Sequence, residues 1–201
     1  MPHPSAAAII DLYERHAAAF DADRVRSLFE RGWLERFRAA MAPTASVLDV
    51  GCGMGEPIAR YLIENGHPIT GVDSSRAMLS LCEARFPEAT WIVADMRRLD
   101  LGETFGGILA WDSFFHLTAE DQRAMFAVFR RHAALGSPLM FTSGPAHGEA
   151  IGSYGGELLY HASLDADEYA ALLDAHGFEV LAHVREDATC GGRTVWLARL
   201  M

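Results

Sequence analysis

Three glycines in five positions, Gly51, Gly53 and Gly55, follow the apolar run VLDV at residues 47–50. Glycine at such a turn lets backbone N–H groups approach a ligand at the start of a helix, because no Cβ stands in the way. About twenty residues on, PITGVDSS brings Asp73 and Ser74 to the end of a second run. From there a carboxylate can accept hydrogen bonds from both hydroxyls of a ribose. A third run ends in VADM, which puts Asp95 within reach of an adenine amino group and Met96 where it can wall the ring. Taken singly, each is equally an ordinary turn glycine or loop carboxylate. Three successive runs ending in such groups point together to a nucleoside. A dinucleotide is disfavoured: the position its fingerprint fills with glycine or alanine holds Glu56, a poor match for a pyrophosphate.

The elements that must position these groups follow from periodicity. IIDLYERHAAAF sets Ile9, Leu12, Tyr13, His16 and Phe20 on one helical face, and Val25 to Met41 repeats the pattern through Leu28, Phe29 and Phe37, ending near Pro43. Short apolar runs then alternate with amphipathic segments: VLDV, a helix over 56–64, PITGVD, a helix over 76–85, TWIVAD and GGILAWD. That alternation predicts βαβ units in a parallel sheet. Thr118 to Asp121 reads as a capping box opening a helix packed through Met125, Phe126 and Phe129, and PLMFTSG is a fifth strand. Residues 145–162 are glycine-rich without sustained periodicity, so an irregular insertion or lid is expected. A helix capped by Asp165 to Glu168 and stopped by Gly177 precedes FEVLAHVRED and TVWLARL, whose glycine connection suits an antiparallel hairpin.

The stretches VLDVGCGMGEP, ITGVDSS, WIVADMRRL and FGGILAWDSFFHL resemble the successive motifs of the class I S-adenosylmethionine-dependent methyltransferases, over about residues 45 to 200. The resemblance implies an α/β fold: a doubly wound, mostly parallel seven-stranded sheet, helices on both faces, the last strand inserted antiparallel. One domain is implied, with a helical cap over 1–42, a cofactor-binding half over 45–144, the insertion over 145–162, and the last helix and hairpin over 163–201. By the same resemblance Gly51, Gly53 and Gly55 lie beside the methionine and ribose of S-adenosylmethionine, with Asp49 beneath them orienting the loop or the amino group. Asp73 holds the ribose, with Ser74 beside it among the cofactor-binding residues, Asp95 and Met96 the adenine, and the backbone at Trp111 and Asp112 flanks the methionine. A pocket lined by Asp49, Glu56, Asp73, Asp95 and Asp112 also suits a cationic sulfonium.

The acceptor enters on the methyl side. His116 could relieve an oxygen or nitrogen nucleophile of a proton, since imidazole titrates near neutrality; its bland alternative is a helix-entry histidine satisfied by backbone. Tyr13, Trp33, Phe115, His147, Tyr154 and His161 are substrate-side candidates, each weighed against plain packing or surface exposure.

The 201 residues, half of them apolar, suit one domain with a sizeable core. With 27 acidic against 17 basic residues the formal charge is −10, which opposes a broad footprint on nucleic acid or anionic lipid. Every basic residue other than histidine is arginine, so lysine-dependent chemistry is excluded, and no Tyr-x-x-x-Lys pair supports a nicotinamide-linked reductase. Three scattered cysteines suggest neither disulfides nor a zinc site. With no leader pattern and no apolar run near the ~18 residues of a membrane span, a cytoplasmic protein is expected, as monomer or homodimer. The reading is a methyltransferase acting on a small molecule through an oxygen, nitrogen or sulfur nucleophile; the alternative is a module that binds the cofactor without transferring its methyl.

Overall fold

A computed structural model describes residues 3–201. Its strands are β1 (Val47–Val50), β2 (Ile69–Asp73), β3 (Thr90–Val93), β4 (Gly107–Ala110), β5 (Pro138–Ser143), β6 (Gly148–Tyr154), β7 (Glu157–Ser163), β8 (Phe178–Asp187) and β9 (Arg193–Leu200). Its helices are α1 (Ile9–Asp23), α2 (Arg31–Ala39), α3 (Ile58–Glu64), α4 (Arg76–Arg85), α5 (Ala119–His132) and α6 (Ala166–Ala175). Seven strands make one sheet in the order β3-β2-β1-β4-β5-β9-β8, with β1 to β5 parallel and β9 antiparallel between β5 and β8. This is the doubly wound, mostly parallel architecture expected.

Burial explains why the middle strands read as largely apolar runs, with Asp49 in β1 and Thr142 and Ser143 in β5 as the polar exceptions. Every residue of β1, β4 and β5 is buried, because helices cover both faces. Leu48, Ile108 and Phe141 pack toward Phe126 and Phe129 of α5 and Tyr169 of α6. Their strand neighbours Val47, Leu109 and Met140 pack toward Trp33, Leu34 and Phe37 of α2 and Leu62 of α3. The strand order reverses at β1, so the carboxyl ends of β1, β2 and β4 open onto a crevice at the switch point.

Two expectations are corrected. The second helix begins at Arg31, not Val25: residues 24–30 are irregular, Leu28 has φ 49°, and Val25 faces solvent. An ion pair 3.0 Å long between the partly exposed Arg24 and the buried Glu30 folds that segment back on itself. The insertion is also not irregular, since β6 and β7 pair in register as a separate hairpin closed by Gly155-Gly156, both at positive φ (58° and 82°). A two-residue turn of that hand matches the twist of a hairpin. Its first strand is exposed on both faces, so no alternation marked it in the sequence.

The hairpin grips α1. Glu157 accepts from Arg15 and from His16 Nε2 (2.7 Å), Tyr154 donates to Asp23 (3.2 Å), and its ring meets His16 and Phe20 edge-on. On its other side α1 docks on α4, where Glu14 Oε2 accepts from Ser75 Oγ (2.6 Å) and Ala77 N (3.0 Å). The helix thus bridges the crevice. No helix among the described residues is long and apolar enough to cross a membrane.

Beneath the glycine loop the sheet is close-packed. A Cβ on Gly71 of β2 would stand 2.2 Å from the Trp91 ring and 2.9 Å from Cys52 Sγ. Gly71→Ala is therefore expected to cost about 1–3 kcal/mol of stability in urea unfolding, the usual penalty for overpacking; an unchanged midpoint would show that Trp91 moves freely.

Candidate active site

The crevice encloses about 790 Å³, walled by the carboxyl ends of β1 to β4, by α1 with the short turn before it, and by residues 191–193. That is within the range of small-molecule and cofactor sites.

Of the three glycines, only Gly53 presents an open face. All three have positive φ (76°, 54° and 79°), yet a Cβ on Gly51 would strike Ser113 Cβ at 2.3 Å, and one on Gly55 would press on Phe86 and Cys82. Nothing lies within 4 Å of a Cβ at Gly53. The expectation that all three provide clearance for a ligand thus narrows to one. Gly53 N–H donates to Asp73 Oδ2 and Ser75 N–H to Asp73 Oδ1, each at 2.9 Å. Each oxygen keeps a further acceptor position for a donor in the crevice. Burial raises the Asp73 pKa although both backbone bonds act to lower it. Ser74 lies on the same wall.

Asp49 is 4% exposed and faces the crevice, and no hydrogen bond offsets the burial of its carboxylate. It does not tie the glycine loop, which removes one of its two expected roles. Burial, reinforced by the charge of Asp73, pushes its pKa up to about 7. Asp95 is different: Arg97 Nε lies 2.9 and 3.0 Å from its two oxygens and Arg97 N–H adds a third bond, so its pKa falls. It stands on the wall with Met96 but is committed to protein partners that the sequence did not reveal.

At the end of β4, Trp111 lines the crevice, and its indole N–H meets no protein acceptor. Asp112 sits at φ 48°, an uncommon backbone state for a non-glycine residue, fixed as its N–H donates to Thr142 Oγ1 (2.8 Å). Arg193 Nη2 bonds its carboxylate at 3.0 Å, and Arg24 Nη1 approaches to 3.9 Å. Arg24 and Arg193 both line the crevice. Sequence reasoning missed them, and took the Cys190-Gly-Gly segment before Arg193 for a plain turn. The only available signal was that two adjacent glycines stand before a cation.

On the opposite wall Tyr13 Oη lies 2.9 Å from His116 Nε2, and His116 Nδ1 lies 2.8 Å from the Tyr160 carbonyl. A carbonyl only accepts, so Nδ1 carries the proton and Nε2 accepts from the Tyr13 hydroxyl. Burial lowers the His116 pKa to about 4 and raises that of Tyr13 well above its ordinary value. Imidazole is therefore neutral at pH 7. Phe115 and His161 complete this wall, with the His161 ring 5.2 Å from Phe115 and 4.8 Å from His116.

Three candidates lie elsewhere. Trp33 is turned into the core under α2, its indole N–H donating to Asp187 (2.8 Å). His147 is exposed at the start of the hairpin, and Tyr154 is engaged in holding α1; neither lines the crevice. Their proximity in sequence to the insertion placed them near the site only if that segment folded over it, and the hairpin instead lies along α1.

Residues 47–136 match the model of the methyltransferase domain family. The chain is 31% identical over 130 residues to the dTDP-4-amino-2,3,4,6-tetradeoxy-D-glucose N,N-dimethyltransferase of Saccharopolyspora spinosa, covering 60% of this chain and 51% of that one. It is 33% identical over 97 residues to the dTDP-3-amino-3,4,6-trideoxy-alpha-D-glucopyranose N,N-dimethyltransferase of Streptomyces venezuelae, covering 47% and 40%. The chain thus spans about half the length, or less, of the curated relatives it matches. Among solved structures, the S-adenosylmethionine-bound amino pentose methyltransferase CalS10 of Micromonospora echinaspora superposes with a TM-score of 0.71 at 22% identity, over 93% of this chain and 96% of that one. Residues 47–136 are thus similar to the methyltransferase domain family, and the fold is the one seen in the S-adenosylmethionine-bound CalS10 structure.

Proposed function

We propose that this protein transfers a methyl group from S-adenosylmethionine to a nitrogen of a small-molecule amine. The observation that carries the reading is Asp49, an enclosed carboxylate without a protein partner on the wall of a crevice that also presents Gly53 and Asp73. A buried carboxylate left unpaired is costly unless a ligand supplies the donor. The ammonium of a methionine moiety is such a donor, while Asp73 has acceptor positions for ribose hydroxyls and Met78, Ala94 and Met96 offer an apolar wall to a purine. When bound, the cofactor supplies a methyl group on a sulfonium that is already a good leaving group. A nitrogen acceptor is supported by the two relatives whose names specify N,N-dimethylation.

The chain's own contribution is then approach geometry and exclusion of water. Tyr13, held as a neutral phenol, donates a hydrogen bond to His116 and keeps its oxygen lone pairs for an N–H of the neutral amine, which aims the nitrogen lone pair away from Tyr13; the thioether leaves with the sulfonium's bonding pair, and the methylated ammonium gives its proton to solvent. With a pKa near 4, His116 is a poor resting place for a proton at pH 7. It acts as a positioning residue through Tyr13, and not as the general base that its residue type suggested.

Calorimetry with S-adenosylhomocysteine and turnover of an amine panel test the reading; absence of binding at millimolar ligand sinks it. Asp73→Ala should weaken that binding by about 1–3 kcal/mol, as expected for hydrogen bonds to a charged group, and unchanged affinity would remove the ribose role. For Tyr13 and His116, Tyr13→Phe is expected to lower kcat with cofactor affinity retained. If His116 works through Tyr13, adding His116→Ala to that variant lowers kcat no further; additive losses would assign His116 an independent role.

Asp49 also makes a pH prediction. Its folded pKa lies above its unfolded value, so the native state binds the extra proton between about pH 4 and 7 and stability declines as pH rises through that window. Asp49→Asn should therefore melt higher than the parent at pH 8, converge with it near pH 4, and bind S-adenosylhomocysteine more weakly. A variant less stable at pH 8 would show that the carboxylate is paired in the free protein.

A further inference from the structure

A methyl acceptor needs its own wall in the crevice, and four rings make one. Phe115, His116 and His161 lie with their centroids 4.8 to 5.2 Å apart, and Tyr13 adds its ring 5.4 Å from His116. All four line the crevice, His161 reaching it from β7. Of the pair Phe114-Phe115, the first is fully buried among Phe126, Phe129 and Phe141, whereas the second is left half-buried and turned to the crevice, where the core makes no use of it. Burial holds both imidazoles below the ordinary histidine range, so the wall is uncharged at pH 7.

Around that wall the surplus charge is negative. Six carboxyl groups line the crevice against three arginines, and each arginine is already met by a carboxylate: Arg24 by Glu30, Arg97 by Asp95 and Arg193 by Asp112. From residue 132 to residue 184, a span that holds β5, the β6–β7 hairpin and α6, the sequence contains seven aspartates and glutamates and no arginine or lysine. The start of a helix can hold a phosphate through its free N–H groups. Here α5, which opens at the crevice, has Glu120 and Asp121 in its first turn, and Thr118 Oγ1 accepts from Asp121 N–H at 3.1 Å. After the hairpin, α6 likewise opens with Asp165, Asp167 and Glu168. Carboxylates thus stand where a phosphate would have to come.

We propose that the acceptor is a phosphate-free amine carrying an apolar or aromatic ring, seated with that ring against Phe115 and His161. This rests on the methyltransferase reading and narrows its acceptor: the two curated relatives are named for dTDP-linked amino sugars, and this chain offers their diphosphate only arginines that carboxylates already hold. Selection comes from repulsion as well as contact. A dianionic diphosphate would settle among carboxyl groups that outnumber the cations, and like charges set together discriminate strongly against a wrong ligand. A neutral ring releases water from the aromatic wall without that cost, as in most small-molecule sites. With its ring on Phe115 and His161, the acceptor presents its amine to the Tyr13 hydroxyl, which stands on the same wall 2.9 Å from His116 Nε2.

The test titrates two probes by calorimetry into the protein saturated with S-adenosylhomocysteine: aniline, a ring amine that is neutral at pH 7, and dTDP. Aniline is expected to bind about 10-fold more tightly than dTDP, or better. Phe115→Ala should weaken aniline about 10-fold, as expected when an aromatic contact surface is removed, while S-adenosylhomocysteine stays within about threefold of wild type. In turnover, a dTDP-linked 4-amino sugar is expected to give a kcat/KM about 10-fold or more below that of a ring amine such as benzylamine. Absence of aniline binding, dTDP binding as tightly as aniline, or a nucleotide-linked sugar methylated as efficiently as benzylamine each overturns the proposal and leaves the methyltransferase reading standing. Aniline affinity unchanged in Phe115→Ala does the same. If S-adenosylhomocysteine itself does not bind, both readings fall. The wild-type comparison of aniline with dTDP decides the matter even if the variant fails to fold.

Discussion

The carboxylate of Asp73 joins the two turns on which the site is built. One oxygen holds the N–H of Gly53 and the other the N–H of Ser75, so the loop after β1 and the start of α4 are fixed to the end of β2 by a single side chain. Ser75 then caps α4 by accepting from Met78 N–H and donates its own proton to Glu14, which brings α1 over the crevice. Loop, helix start and roof are thus linked through two neighbouring residues. The arrangement tolerates the burial of Asp73 because both oxygens accept backbone bonds, yet desolvation still outweighs them in setting its pKa.

Charge is distributed along the crevice with a consistent logic. Asp95 and Asp112 are neutralised by arginines, whereas Asp49 is left without a partner in the most enclosed position of the three. An unpaired carboxylate at that depth favours its protonated form until a cation arrives. The wall opposite carries neutral donors and acceptors, with Tyr13 and His116 bonded to each other and His116 anchored to the Tyr160 carbonyl. A cationic group is thereby attracted to one side, and a neutral nucleophile meets polar groups that carry no competing charge on the other.

The cover over this site is held by polar and apolar contacts together. Leu12 and Ala17 of α1 are buried, Ala17 with Met54 and Met78 in a small satellite core on which Tyr13 and Phe20 pack, and Glu14, Arg15, His16, Asp21 and Asp23 add polar contacts. Exposed ion pairs of this kind contribute little each. The sheet beneath is a continuous buried core on both faces, so rigidity is concentrated where Gly51 to Gly55 and Asp73 are held.

The sheet was legible because its signals are local. GILA and PLMF are buried on both faces and therefore apolar without interruption, VLDV is broken only by Asp49, and glycines needing positive φ appear as glycines. Asp73, the last residue of β2, and Asp49, next to last in β1, could be found the same way, since a position at or near a strand's carboxyl end lies close to the sheet edge whatever surrounds it. The hairpin over 148–163 was hidden because a strand exposed on both faces has no alternation to read. The false helix over 25–30 arose because Leu28 and Phe29 are spaced like a helical face, while the ion pair that bends the segment joins residues six apart. Sequence by itself determined the fold class, the glycine turn and the carboxylates near the carboxyl ends of β1 and β2, for backbone sterics and strand burial act over a few residues. Only the tertiary structure decided that Trp33 belongs to the core, that Asp49 lacks a partner, that His116 is a neutral acceptor for Tyr13, and that Arg24 and Arg193 meet at Asp112. Partner choice and desolvation depend on which distant segments the fold packs together.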